Sequence, residues 1–433
     1  MTPRKLSLLF IFIFLAYAVA RISLNLPALA NPRELADTPS YLRVSRVPIS
    51  EIGFWTDGRS FVFPLLLKLV KQDINQAAAI QLGFSILAWI FLAYITSASL
   101  RPLWLKLLSF GILLALSLVR SLAAWDYVMM TESLSISWFV LFLALGIWLT
   151  HEWRAYKVIA IILTGFFLAF TRDTNAYLLL MLAGLLIVSV LLRWSAPRVL
   201  WVAIPFLLIF LLNNYTSNFG SRWVFPLNNV VGKRILVRSQ ALEYFQSCGM
   251  PVTPELLSLA DEYANGQDRA FYNDPALEGY RQWLAADGKS CYMTWLLSDP
   301  VRSVGEVIVQ FESLIRFDKM GGFFAKKYDP LIPYFIEPFL YPAKFTLALW
   351  LILTLGAFIV VWKQAWRSHR LWGIYLLLCL PILPHLFITW HGDAMAAERH
   401  ALSVGLQLAL SFWLVVFLLL EQFAPNGKYQ TDA

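Results

Sequence analysis

Residues 74–100 read INQAAAIQLGFSILAWIFLAYITSASL, 27 consecutive positions without a charged side chain. A helix that crosses a bilayer needs about 20 such residues. Nine further runs are charge-free or nearly so: 6–20, 107–119, 133–150, 158–171, 174–192, 199–221, 345–362, 371–390 and 401–420. Backbone groups in lipid must be hydrogen-bonded within the segment, so runs of this kind read as helices. The expected fold class is an all-α integral membrane protein with about ten transmembrane helices. Composition points the same way: 14% of residues are charged, against about 25% in soluble proteins.

The net charge of +8 follows from topology, because Lys and Arg are retained on the cytoplasmic side. If every run crosses once, Arg4, Lys5, Arg101, Lys106, Arg154, Lys157, Arg193, Arg198, Lys363, Arg367, Arg370 and Lys428 share one side. The acids of the short connections fall opposite: Asp37, Glu51, Asp57, Asp126, Glu132, Asp173, Asp393 and Glu398. This separation predicts a multi-pass protein of the inner or plasma membrane, with both termini cytoplasmic. Membrane lipids are then partners and nucleic acid is not.

The start, residues 1–30, has basic residues, an apolar run and Ala28-Leu29-Ala30, a pattern shared with cleaved signal peptides. Arg21, Asn25 and Pro27 separate the run from that site, which favours an uncleaved first span. The chain divides into an N-terminal bundle (1–221), a large segment expected to be extracytoplasmic and mostly helical (222–340), and C-terminal spans (341–433). The bundle includes a first external loop over 23–73. Within that loop, Pro32 is expected to start a helix that runs through Glu34 and Asp37 and stops near Pro39. Residues 61–70 should lie along the membrane surface with Lys68 and Lys71 facing water. In the large segment, 254–264 follows a Thr253 cap and 300–316 follows Asp299-Pro300, so both read as helices. Gly321-Gly322 and Asp329-Pro330 mark loops. Cys248 and Cys291 share this segment, where a disulfide and two free thiols read alike.

Polar residues at the span ends carry the candidate chemistry. Asp37, in Ala36-Asp37-Thr38-Pro39-Ser40-Tyr41, follows the first span at the membrane surface. A transferase acting on a lipid-linked substrate needs an acid or base at that depth; the alternative is an ordinary helix-capping acid. Asp126 and Glu132 bracket the next external turn. They read either as further carboxylates facing Asp37 or, for Glu132, as a first-turn acid behind a Thr131 cap. Arg172 sits between two short spans, where a guanidinium suits a phosphate or pairs locally with Asp173. The last turn holds the densest polar cluster, with His391, Asp393, Arg399 and His400, and His385 just before it. The His391/Asp393 spacing is not a specific metal site, and a divalent cation stays open as the only cofactor. Gly-rich phosphate loops, Rossmann patterns and Asp-x-Asp triplets are absent, so a nucleotide donor is not expected.

Several short motifs resemble the GT-C superfamily, polytopic glycosyltransferases that use polyprenyl-phosphate sugars. They are Asp37-x-x-x-Tyr41 after the first span, Arg59 before Phe63-Pro64-Leu65-Leu66-Leu67, Glu132 opening a span, Arg172 before another, and Glu398-Arg399-His400 near the end. The last is similar to an Arg-Tyr element of protein O-mannosyltransferase and aminoarabinose-transferase relatives, with His400 where Tyr is usual. The resemblance covers roughly 1–213 and 338–421. It departs in having a lone Asp37 where some relatives carry Asp-Glu, and in lacking Trp-Trp-Asp in the large segment.

The resemblance implies a GT-C-like bundle and inverting transfer of a hexose or pentose from a polyprenyl-phosphate donor. The acceptor would be a lipid, glycan or protein on the outer face. Asp37 would be catalytic, with Tyr41, Arg59, Asp126, Glu132, Arg172, His391, Asp393, Arg399 and His400 binding substrate. The alternatives are a transporter or flippase of lipid-linked saccharide and an envelope polysaccharide polymerase or ligase. Broken helices, of which Pro381 and Pro384 are the one hint, would favour transport.

Overall fold

A computed structural model describes residues 3–315, 322–324, 332–341, 343–360 and 371–424. Gly321, Asp329-Pro330, Lys363, Arg367, Arg370 and Lys428 lie outside the described residues, as do the side chains of Arg4 and Lys5. The chain is an all-α polytopic membrane protein. Its principal helices are α1 (Pro3–Leu29), α2 (Thr38–Arg46), α3 (Val62–Leu69), α4 (Ile74–Ser99), α5 (Leu103–Ser117), α6 (Glu132–His151), α7 (Ala155–Ala169), α8 (Asp173–Leu191) and α9 (Leu200–Phe219). After the large segment come α10 (Pro300–Ile315), α11 (Lys344–Val360), α12 (Leu371–Cys379), α13 (Ile382–Gly392), α14 (Ala397–His400) and α15 (Leu402–Phe423).

Among the described residues, eight helices are long and apolar enough to cross a membrane. A ninth forms if α5 and Arg120–Tyr127, bent by 60°, make one span. The expectation of about ten is reduced chiefly by α7, whose 15 residues reach only about 22 Å at 1.5 Å per residue. The helix Leu371–Gly392 passes its prolines as one crossing made of α12 and α13.

Outward faces are aliphatic where lipid would lie. Leu8, Phe12, Leu15, Val19 and Leu26 are more than half exposed along α1. At the other pole of the packing, α6 and α15 bury most of their side chains and α4 buries half of its own. At the α4–α5, α6–α7 and α8–α9 connections, Trp194 and the first-turn residues Trp104, Tyr156 and Trp201 of the helices that follow are exposed, the aromatic belt of a membrane–water interface. The basic residues of these turns gather at the same end, as expected. Glu152 breaks the separation, because it sits in the α6–α7 turn paired with Arg154. Glu421 is a second exception, accepting the Arg101 backbone N–H.

The bend after α5 explains two residues. A broken helix leaves carbonyls without partners. Arg21 of α1 donates to the freed Ser117 carbonyl and reaches Asp126 Oδ2 at 2.6 Å. Ser133 Oγ donates to Asp126 Oδ1 at 2.7 Å. Asp126 is thus the buried counter-ion that holds the first span against the bent one.

The first loop differs from expectation. α2 starts at Thr38, with Pro39 in its first turn, so this proline begins a helix instead of ending one. Before it, residues 31–37 are extended or turned, and Arg33 bridges Val128 in parallel. Lys68 does not face water: its ammonium donates to the Ser45 and Val47 carbonyls at 2.9 and 2.8 Å, at the C-terminus of α2.

The large segment holds a second core around Phe245, Leu256, Tyr280 and Trp283. Cys248 and Cys291 form a disulfide in it. Thr253 caps the next turn by accepting the Leu256 N–H at 3.3 Å, but that helix ends at Leu257. Asp261, with φ of 66°, turns the chain where the 254–264 pattern predicted helix. The 300–316 expectation corresponds to α10.

Candidate functional site

Two backbone hydrogen bonds fix the entry to α2. Arg33 N donates to the Tyr127 carbonyl at 2.8 Å, and Met129 N to the Arg33 carbonyl at 2.9 Å. The Thr38 hydroxyl then donates to the Met129 carbonyl at 3.0 Å. These contacts clamp the first loop to the turn that leads into α6, which brings Asp37 beside Glu132.

Asp37 occupies the N-cap position of α2, yet its side chain caps nothing. Oδ1 accepts from Arg59 Nη2 at 2.7 Å and Oδ2 from Arg399 Nη1 at 3.0 Å. The capping alternative therefore fails, since two guanidiniums from distant parts of the chain take both oxygens. Arg59 is aimed by Ser40, whose Oγ accepts from its Nε at 2.8 Å. Its guanidinium also lies 5.0 Å from the centre of the Tyr41 ring, a cation–π contact.

Behind this pair the charges continue inward. Glu132, 1% exposed, opens α6. Its Oε1 accepts from Arg172 Nη1 at 3.2 Å and lies 3.6 Å from Arg399 Nε. Among the described residues, its buried Oε2 has no hydrogen-bond partner. Thr131 precedes it without capping α6 through its side chain. Arg172 does not pair with Asp173. It turns to Glu132 and to His400, with Nη2 2.6 Å from Nδ1 of the imidazole. A guanidinium only donates, so His400 accepts through Nδ1 and carries its proton on Nε2. That nitrogen faces Asp393 Oδ2 at 3.5 Å.

The electrostatics follow from this order. Burial pushes the Asp37 carboxyl up, but Arg59 and Arg399 outweigh it and hold the group below the usual carboxylate range. Burial pulls Arg399 down, and Glu132 and Asp37 more than restore it. Burial dominates at Arg172 and lowers it despite Glu132. His400 is driven well below its ordinary value by burial, then by Arg172, Arg399 and Arg59, and is neutral. Burial raises Asp393 to about 6 against the Met395 N–H and the Asn229 amide.

Around Asp37, three guanidiniums (Arg59, Arg172, Arg399) meet two carboxylates (Asp37, Glu132). The excess of positive charge suits an anion such as a phosphate. Asp37 is partly exposed and Glu132 and Arg172 are buried, so the cluster opens at its Asp37 end.

The expected residues divide clearly. Asp37, Tyr41, Arg59, Glu132, Arg172, Arg399 and His400 meet in one network, with Asp393 at its edge. Asp126 is not among them, because Arg21 engages it on the far side of the turn. His391 is directed to the Ser303 carbonyl at 3.0 Å, and His385 to Gln407 at 3.0 Å inside the bundle. Among the described residues, no group of His, Cys, Asp and Glu could hold a metal ion.

Three neighbours were not anticipated. Phe323 lies 5.7 Å from the Arg399 guanidinium. Arg222 takes Asp173 at 3.1 Å. Asn229 of the large segment donates to Asp393 Oδ1 at 2.9 Å and accepts the Ala264 N–H at 2.8 Å. A charged Arg222 just past a span is a visible signal; Phe323 and Asn229 carry none. In comparison with known proteins, no family model matches this chain and no curated protein sequence matches it.

Proposed function

We propose that this protein is a membrane glycosyltransferase that moves a sugar from a polyprenyl-phosphate donor to an acceptor at the extracytoplasmic face. The observation that carries this reading is Asp37 held between Arg59 and Arg399 at the end of the membrane helices. In the proposed step, an Asp37 oxygen takes the proton of the acceptor hydroxyl or amine. The acceptor heteroatom attacks the anomeric carbon, and the bond from that carbon to the phosphate oxygen breaks. The electron pair leaves with the polyprenyl phosphate, whose charge Arg59, Arg399 and Arg172 offset. Attack opposite the leaving group inverts the sugar.

The ion pairs around Asp37 fit such a sequence. A carboxylate held by two guanidiniums is a weak base. A donor phosphate competes for the same N–H groups, and Asp37 recovers basicity as they turn away. The active state is then assembled only with donor present.

The transporter or flippase reading has its own support in the bent span of α5 and Arg120–Tyr127 and in the buried Arg21–Asp126 pair. The readings separate by product. Mass spectrometry of polyprenyl-phosphate sugars and surface glycans, with and without the gene, should show an unused monosaccharide carrier accumulating if this is the transferase. An unchanged carrier pool sinks it.

A further inference from the structure

A cavity of about 580 Å³ in the bundle lies away from the charged cluster. Its walls come from α6, α8, α9 and α12, from Phe139 and Leu182 to Phe206 and Ile374. Along α6 it runs from Phe139 to Thr150, about 17 Å at 1.5 Å per residue. Glu132 stands at the opposite end of α6, so the mouth opens at the other membrane surface.

The two ends of the cavity differ in chemistry. At the inner end, Gln407 is the polar residue, and both its amide atoms are engaged. Nε2 donates to the Leu378 carbonyl at 2.7 Å and Oε1 meets His385 Nδ1 at 3.0 Å. Nothing there solicits a polar group. At the mouth stand Thr150, His151, Ser195 and Arg198, with Glu152, whose carboxylate is taken by Arg154. Arg198 is exposed, with its guanidinium 5.2 Å from the centre of the Trp153 ring. Among the described residues no carboxylate pairs with it. An indole under an arginine at this height marks the level of lipid head groups, and basic pockets between spans take acidic heads.

We propose that the cavity binds one acidic glycerophospholipid of the adjoining leaflet, with an acyl chain inside and its phosphate at Arg198. The site is separate from the one around Asp37, and the proposal does not depend on a transferase function. Two glycines supply the test. A Cβ added at Gly373, on the cavity wall, meets nothing within 4 Å, and the same is true of Gly83, which is not in the lining. Gly373→Trp adds bulk at the cavity wall, and Gly83→Trp is the bulk-matched control.

The full-length protein, purified in detergent and stripped of lipid, would be offered dioleoyl-phosphatidylglycerol, dioleoylglycerol or farnesyl phosphate. Native mass spectrometry would count bound molecules. We expect one phosphatidylglycerol per chain, with at least tenfold weaker dioleoylglycerol binding. Gly373→Trp should abolish binding, Arg198→Ala should weaken it about tenfold without added bulk, and Gly83→Trp should leave it intact. Equal retention by Gly373→Trp, equal binding of the neutral lipid, or binding of farnesyl phosphate in place of phosphatidylglycerol overturns the proposal.

Discussion

Arg399 Nη1 lies 3.0 Å from Asp37 Oδ2, although 362 positions separate them in the chain. The first loop and the last turn therefore close on one another across the bundle. Asp37 also holds Arg59, and Arg399 also faces Glu132, so the contact joins the two ends of the sequence inside one charged network.

Asp37→Asn should abolish transfer while leaving insertion and folding intact. General base catalysis contributes about 10²–10⁴-fold, and a loss of that size is expected in product formed by purified protein. The amide oxygen keeps one of the two guanidinium hydrogen bonds while its NH2 faces the other, so thermal unfolding in detergent should shift, by less than for Glu132→Gln because Asp37 is partly exposed. Retained activity would remove Asp37 from the chemistry and shift support to the flippase.

Glu132→Gln should destabilise the protein strongly. It leaves Arg172, only 8% exposed, facing Arg399 without the charge that balances both. Breaking a buried pair costs about 3–5 kcal/mol. Arg43→Ala, which removes an exposed pair with Asp57, should cost about 0–1 kcal/mol. Equal shifts in melting temperature for the two variants would mean that Glu132 is solvated in the native protein.

Asp393 predicts a pH effect on stability. Its folded value of about 6 lies above the ordinary 3.8, so the folded state binds this proton more tightly than the unfolded state. The contribution is present below the unfolded value and is lost as pH rises through about 6. Subtracting the melting curve of Asp393→Asn from that of the wild type should isolate a loss between pH 4 and 6. Asp37 acts in the opposite sense at lower pH, because its depressed value removes stability as pH falls through it. A flat difference curve would show Asp393 titrating normally.

Reduction of Cys248–Cys291 should loosen the large segment selectively. The bond spans 43 positions, and closing a loop of that order typically stabilises by about 2–4 kcal/mol. Hydrogen exchange after reduction should rise around Phe245 and Trp283 while α4 and α6 stay protected. Uniform exchange across both regions would tie the two cores into one unit.

The spans and much of the site were legible in the sequence for one reason. Charged residues are costly in lipid, so those bordering apolar runs must collect at the surfaces, where Asp37, Glu132, Arg172 and Arg399 indeed meet. What stayed hidden depended on pairing at long range. Asp126 carries the same local signature as Glu132, and only the bend after α5 assigns it to Arg21. Pro39 reads from the sequence as a helix stop, but the bridge of Arg33 to Val128 keeps the residues before it extended and Pro39 falls in the first turn of α2. The 254–264 pattern has helical spacing throughout, yet a left-handed Asp261 interrupts it where Asp261 N reaches the Gly232 carbonyl.

The Arg21–Asp126 pair also constrains biogenesis. α1 leaves the ribosome with a guanidinium in its apolar length, and the carboxylate that pairs with it follows 105 residues later. An arginine at a helix centre costs about 2.5–3.5 kcal/mol on insertion scales, a penalty that the Leu, Ile and Phe side chains of α1 can offset. The opening segment can therefore enter lipid first, and its guanidinium finds its permanent counter-charge only after the bent stretch has been made, so final docking of that segment is a late step in assembly.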